Sequence, residues 1–350
     1  MRMIELLPEK GNFYKVNMHS HSTLSDGKLT PEEMKEAYKK QGYSAICFTD
    51  HEVLIGHKEL CDEGFVALHG YEVGILNKKV VRPGLKGFTQ CYHINMIAKD
   101  QDNLVMPGFY KNNPYMAGRA RQTAEQFGQY SDTIDENHYD VAWVNDYLKK
   151  FRDHGFLPVL NHPEWSIQNC NDYLGLEHLH GIEVINGSCA QAYSENTGIH
   201  YQQLLRAGHC VVPTAGDDDH SEKDHFKAWT MIKAEELSYD ALIKAYENGE
   251  CYASEGPDIL SIVYKDNKII VKTSPVSGIF LRAEGRHSES VYSRTETYTQ
   301  AEFEFIPNRF GRFFRIEIRD KEGFRAFSSA YCTETILKSL SEMEQCQNDA

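Results

Sequence analysis

Short apolar runs that read as β-strands end, again and again, in imidazole or carboxylate side chains. Residues 13–18 lead to His19 and His21, with Asp26 just beyond, and residues 44–49 lead to Asp50-His51. Residues 65–68 lead to Glu72, 91–92 to His93, 156–160 to Asn161-His162-Pro163, and 210–213 to the run Gly216-Asp-Asp-Asp-His220. A lone His-x-His is weak evidence. Donors of the same kind after six separate strands are not, because such a chain must fold so that its strand ends meet on one rim. The sites of α/β barrels lie on the loops that follow the strands. Imidazole with carboxylate, and no thiolate in the set, suits manganese, iron or zinc better than calcium or copper(I).

Helical stretches alternate with these strands. Thr30-Pro31-Glu32-Glu33 predicts a helix start, with Thr30 as N-cap, Pro31 at the first helical position and Glu33 closing a capping box. Met34, Ala37 and Tyr38 supply its apolar face, and Gly42 ends it. Further helices are expected over residues 141–154 and 195–207. About seven β/α units result, which argues for a parallel sheet closed as a barrel over residues 1–256. Residues 99–139 break the rhythm with Pro107-Gly108, Asn112-Asn113-Pro114, Arg119 and Arg121, and are expected to form an insertion beside the site. From 257 to 333 short alternating strands, with a turn at Asp266-Asn267, predict a small antiparallel β-sandwich-like domain. Residues 334–350 read as a polar tail with a fraying helix.

The net charge of −14, from 51 acidic and 37 basic residues, argues against a partner as large as long nucleic acid. It leaves room for a small anionic substrate. The first ten residues are too charged for a signal peptide, and no apolar run of about 18 residues predicts a membrane span. The nine cysteines form no C-x-x-C pair, and several sit in strand-like runs as buried thiols. A cytoplasmic, reduced protein is expected.

The ordered set Asn17-Met-His-Ser-His-Ser, Ser25-Asp-Gly, Phe48-Thr-Asp-His51, Gly70-Tyr-Glu72, His93, Asn161-His-Pro163 and Gly216-Asp-Asp-Asp-His220 resembles the PHP (polymerase and histidinol phosphatase) superfamily of metal-dependent phosphoesterases. The resemblance covers roughly residues 13–256 and implies a distorted (β/α)7 barrel with two or three divalent metal ions (Mn, Fe or Zn). It implies one ion at His19, His21, Glu72 and Asp218, and a second at Glu72 (bridging), His93 and His162. A third would lie at Asp26, His51 and His220. Some members carry His where this chain has Asp26. Asp218 is preferred to Asp217 because the family pattern is D-x-H. Glu72, Asp218 and His220 are assigned to catalysis. The stretches 250–257, 315–320 and 323–330 resemble the carbaryl-hydrolase-like branch, in which a β-sandwich follows the barrel.

The resemblance implies hydrolysis of a small phosphorylated metabolite or nucleotide by a hydroxide bridging two ions. A 3′,5′-nucleotide bisphosphate and a short oligonucleotide are the substrates entertained. Hydrolysis of a carbamate or carboxylic ester is the alternative, and a non-catalytic structural module is a third reading. Asp50, next to His51, is expected to orient neighbouring groups rather than to act as a general acid. Glu183 and Asn186 are open between touching substrate and supporting ligands. Arg119 and Arg121 could clamp a phosphate, although an exposed loop charge is the commoner account. Trp165 is open between stacking on a base and packing.

Overall fold

The computed structural model describes residues 2–78 and 89–348. The first helix, α1 (Pro31–Lys40), forms as its sequence dictates. Thr30 Oγ1 accepts from the Glu33 N–H while the Glu33 carboxylate accepts from the Thr30 N–H. Its buried residues Met34 and Tyr38 pack on Ile46 and Phe48 of a neighbouring strand.

Nine strands build the large sheet around the donor-bearing segments: β1 (Asn12–Asn17), β2 (Ala45–Phe48), β3 (Val66–Leu76), β4 (Cys91–Ala98), β5 (Phe156–Leu160), β6 (Gly181–Asn186), β7 (Val212–Gly216), β8 (Trp229–Ala234) and β9 (Cys251–Ser254). Their ladder order is β7-β6-β5-β4-β3-β2-β1-β8-β9. The fold is therefore mixed α/β with a large central sheet. The expected uniformly parallel sheet is corrected at two strands. β4 runs antiparallel to both β3 and β5, and β8 antiparallel to both β1 and β9. A parallel neighbour needs a long crossover, and β3 and β4 are joined only by residues 77–90.

The ladder itself is open, but its β7 end approaches β1 and β8. Ser20 and Asp219 form a single parallel bridge, the Asp218 N–H donates to the His19 carbonyl (2.9 Å), and Ala215 and Thr230 exchange hydrogen bonds. Gly216 permits this approach, because a Cβ there would lie 2.5 Å from the His19 nitrogen. The ends of β1 and β7 are thus held side by side.

The insertion carries α2 (Gly118–Phe127), and α3 (Val141–Asp153) follows it and packs Val144, Leu148 and Phe151 into the main core. α4 (Ile199–Ala207) is shorter than the stretch expected, since residues 194–198 form no helix. α5 (Tyr239–Glu247) packs on β8 and β3 and buries Leu242, Ile243 and Tyr246.

The C-terminal strands are β10 (Ile259–Lys265), β11 (Lys268–Val276), β12 (Gly278–Ala283), β13 (Ser288–Tyr292), β14 (Tyr298–Glu304), β15 (Phe313–Arg319) and β16 (Arg325–Ser328). Met3–Glu5, β10, β11 and β14 form a four-stranded antiparallel sheet. It packs Ile262, Ile269 and Phe303 against Leu281, Phe314 and Ile316 of the second layer. That second layer (β16, β15, β12, β13) continues the large ladder through β9, with Ala253 opposite Phe327. The helix expected in the polar tail forms as α6 (Thr333–Asn348) and buries Ile336 and Leu340 in this core; the last two residues lie outside the described ones.

Phe314 is fully buried between Phe305, Phe310 and Tyr331. Phe314→Ala should therefore cost about 3–5 kcal/mol in urea unfolding. A loss below about 1 kcal/mol would mean that this core is not packed as described.

Candidate metal centre

The predicted donors come from the β7 end of the ladder and from strands inside it. His19 and His21 follow β1, His51 follows β2, and Asp218 and His220 follow β7. Glu72 and His93 differ from expectation, since both sit inside strands. Because β4 is antiparallel to β3, the beginning of β4 lies beside the end of β3, with Gly74 opposite His93. His162 follows β5 at φ +25° and Asp218 follows β7 at φ +51°, unusual conformations for residues with side chains.

All nine predicted side chains meet around one centre. His19 Nε2 is 3.3 Å from Glu72 Oε1 and 3.4 Å from Asp218 Oδ1. His21 Nε2 is 3.1 Å from Asp218 Oδ1, and His93 Nδ1 and His162 Nε2 lie 3.2 and 3.4 Å from Glu72 Oε1. At the mouth, Asp26 Oδ2 is 3.7 Å from His51 Nε2 and 3.4 Å from His220 Nε2. Among the described residues, four groups place their donor atoms within reach of one ion: His21-Asp26-His51-His220, His19-His21-Glu72, Glu72-His93-His162 and His19-His162-Glu183. His21 thus joins the mouth group, and Glu183 is a donor that the strand-end pattern did not single out as a ligand.

The donors fit cations. Two atoms each ~2.1 Å from one tetrahedral ion stand about 3.4 Å apart, close to the separations above. His19 Nε2 and His21 Nε2 face each other at 3.2 Å. His51 Nδ1 lies 3.0 Å from Glu72 Oε2, yet neither atom makes a well-formed hydrogen bond, and His21 Nδ1 has none. Lone pairs so buried and so poorly matched to one another point at a shared centre. In the protein alone, burial opposes the charge on Glu72 and on Asp218. The surrounding imidazoles outweigh it and hold both carboxyls well below their usual range. Burial, with His220 and His51 nearby, pushes His21 down to about 4, so its imidazole is neutral and ready to coordinate.

Neighbouring groups fix these side chains. Asn161 Nδ2 donates to Glu72 Oε1 (2.7 Å). Glu183 sits 3.0 Å from His19 Nδ1, which turns Nε2 toward the centre, and it also accepts from the His162 N–H. Asn186 Nδ2 bridges Glu183 and Asp218. The three consecutive aspartates divide their work. Asp217 accepts from Tyr38 Oη and the N–H groups of Phe226, Lys227 and Ala228. Asp219 accepts from Asn17 and lies 3.4 Å from His225, outside the donor set, so Asp218 alone of the three faces the histidines of the centre.

Asp50 orients the loop that leads to Asp26. It accepts from the N–H and hydroxyl groups of Ser22 and Ser25, shaping the turn that presents Asp26. Arg119 is no free clamp, since it donates to the carbonyls of Ser25 (3.0 Å) and Gly27 (2.5 Å) on the same loop. Arg121, half-buried in α2, donates to the Lys111 carbonyl (3.5 Å). Tyr115 of the insertion stacks on His51 and meets His93 edge-on. Gly74 makes room for it, because a Cβ there would lie 2.2 Å from the ring. Trp165, partly exposed, packs against His93 and His162.

The PHP domain model matches residues 17–245, and the chain belongs to that family. No curated protein sequence matches the chain. Among solved structures, it is similar to a two-domain Bacteroides vulgatus protein containing a predicted PHP-like metal-dependent phosphoesterase. That likeness has 16% identity and a TM-score of 0.44, covering 94% of this chain and 97% of the other. PsfC from Pseudomonas syringae is similar at 16% identity and a TM-score of 0.40, over 67% and 88% of the two chains. An amidohydrolase from Chromobacterium violaceum is similar at 18% identity and a TM-score of 0.37, over 59% and 88%. No helix among the described residues is long and apolar enough to cross a membrane.

Because Arg119 braces the loop that carries Asp26, Arg119→Ala should weaken binding of one metal equivalent about 10-fold or more. Competition titration with a chelating dye reads this directly. Affinities equal to wild type for every equivalent would remove the bracing role.

Proposed function

We propose that this chain is a metal-dependent phosphoesterase acting on a small phosphorylated metabolite or nucleotide. The observation that carries the reading is the convergence of nine donors on one centre in a member of the PHP domain family. In this reading residues 1–256 form a distorted barrel that performs the reaction, and 257–333 form an appended β unit. His19, His21, Glu72 and Asp218 hold one ion, Glu72, His93 and His162 a second, and Asp26, His51 and His220 a third. Divalent manganese, iron or zinc bound there would neutralise charge on a phosphoryl group and acidify a water molecule.

The chain's own residues set the substrate. A cavity of about 430 Å³ opens over the centre, lined by Asp26, Lys28, Trp165, Tyr193, His220 and Lys223 among others. Its volume falls within the range of small-molecule sites. Lys28 and Lys223 give it cationic walls for an anion, and Trp165 offers an exposed ring on which a base can stack. Glu72 and Asp218, buried beneath, are the fixed charges around which the cations are placed. Glu183 and Asn161 keep His19 and Glu72 from rotating away.

A panel of p-nitrophenyl phosphate, bis-p-nitrophenyl phosphate and p-nitrophenyl acetate tests the reaction class. Turnover of the phosphates is expected, and turnover of the acetate alone would transfer the site to ester or carbamate hydrolysis. With the substrate in hand, Glu72→Ala should lower kcat by roughly 10³-fold or more, with KM little changed. Near-wild-type turnover with unchanged metal content would remove Glu72 from the reaction.

A further inference from the structure

The C-terminal layer carries a face whose charge opposes the acidic balance of the chain. Register sets Arg282 on β12 opposite Arg315 on β15, and Arg319 opposite Arg325 on β16. With Arg206 of α4 and Arg286, they line a groove of about 600 Å³. One carboxylate, Glu317, lies among them. Its oxygens stand 3.5 Å from Arg282 Nε, 3.6 Å from Arg315 Nη1 and 3.8 Å from Arg319 Nη2, all too long for a hydrogen bond. Three guanidinium groups share a single counter-charge.

The inner part of this groove is buried. Arg315 is only 3% exposed; its Nε donates to Gln202 (2.8 Å), while its Nη1 has no hydrogen bond, nor has Arg319 Nε. Buried donors without acceptors and excess positive charge are both costly, and an anion in the groove relieves both. α4 also begins here. Its N-cap is Gly198, which supplies no side-chain cap, and Thr197, Gly198 and Ile199 line the groove. The positive end of a helix adds to the field. Arginine forks match the paired oxygens of phosphate better than a point charge does.

We propose that this groove is a second anion site, separate from the candidate metal centre, which takes a small multiply charged phosphate compound of the diphosphate class. None of the residues lining it belongs to the metal-type donor set. The site stands whether or not the centre hydrolyses phosphoesters.

Calorimetric titration of the full chain with inorganic pyrophosphate tests it. His19→Ala/His21→Ala removes ligands from the metal centre and should leave a pyrophosphate binding event in place. Adding Arg282→Ala and Arg319→Ala to that background should weaken the event at least 10-fold. Both arginines are about one-third exposed, so their loss should not unfold the layer. Should that variant fail to fold, Arg286→Glu, at an exposed position, should weaken binding at least 3-fold. Unchanged affinity in the arginine variants, or no pyrophosphate binding once His19 and His21 are replaced, would overturn the proposal. So would binding of hexaglutamate but not pyrophosphate, which would mark an acidic-peptide surface instead.

Discussion

The Glu72 carboxylate is the hub on which the centre depends. It is buried, held by Asn161, and lies within 3.5 Å of nitrogens from His19, His21, His51, His93 and His162. A lone buried carboxylate would be driven to take up a proton. Here the imidazoles of His93, His19, His51 and His162 keep it charged, and cations shared with them would compensate it more fully. Each strand geometry around it serves that arrangement. β3 runs on past Glu72, β4 returns antiparallel to bring His93 beside it, and β1 and β7 are drawn together through Gly216.

Much of this was legible in the sequence, for a physical reason. Metal-type side chains are expensive to bury without partners, so their recurrence after apolar strands forecasts their convergence. The helix start at Thr30-Pro31-Glu32-Glu33 was equally plain, because capping is local chemistry. Strand direction was not. Whether His93 opens a parallel or an antiparallel strand depends on partners far away in the chain, and the apolar run at 91–92 looks the same in both. Glu183 is equally hard to read, since a carboxylate inside a buried strand says nothing by itself about which ring it will meet. Neither the place of Asp50 beside His51 nor the charge of Arg119 reveals their partners. Their actual work, holding the turn at residues 22–27, appears only when distant segments meet.

The insertion and the C-terminal layer show how additions change a shared framework. The insertion seals one side of the centre with Tyr115 and braces the Asp26 loop through Arg119, so its sequence controls the most exposed part of the donor set. The C-terminal layer extends the large sheet through β9 and β16 rather than hanging from a linker, and its cationic face lies beside the start of α4.

The central claim is that the converged side chains hold two or three transition-metal ions. X-ray absorption spectroscopy at the metal edge, on protein purified without chelator, tests it most directly. The account predicts nitrogen and oxygen neighbours at about 2.0–2.2 Å with imidazole scattering, and a second metal about 3.5–4 Å away. A sulfur shell at about 2.3 Å, or an ion surrounded by water without imidazole, would contradict it.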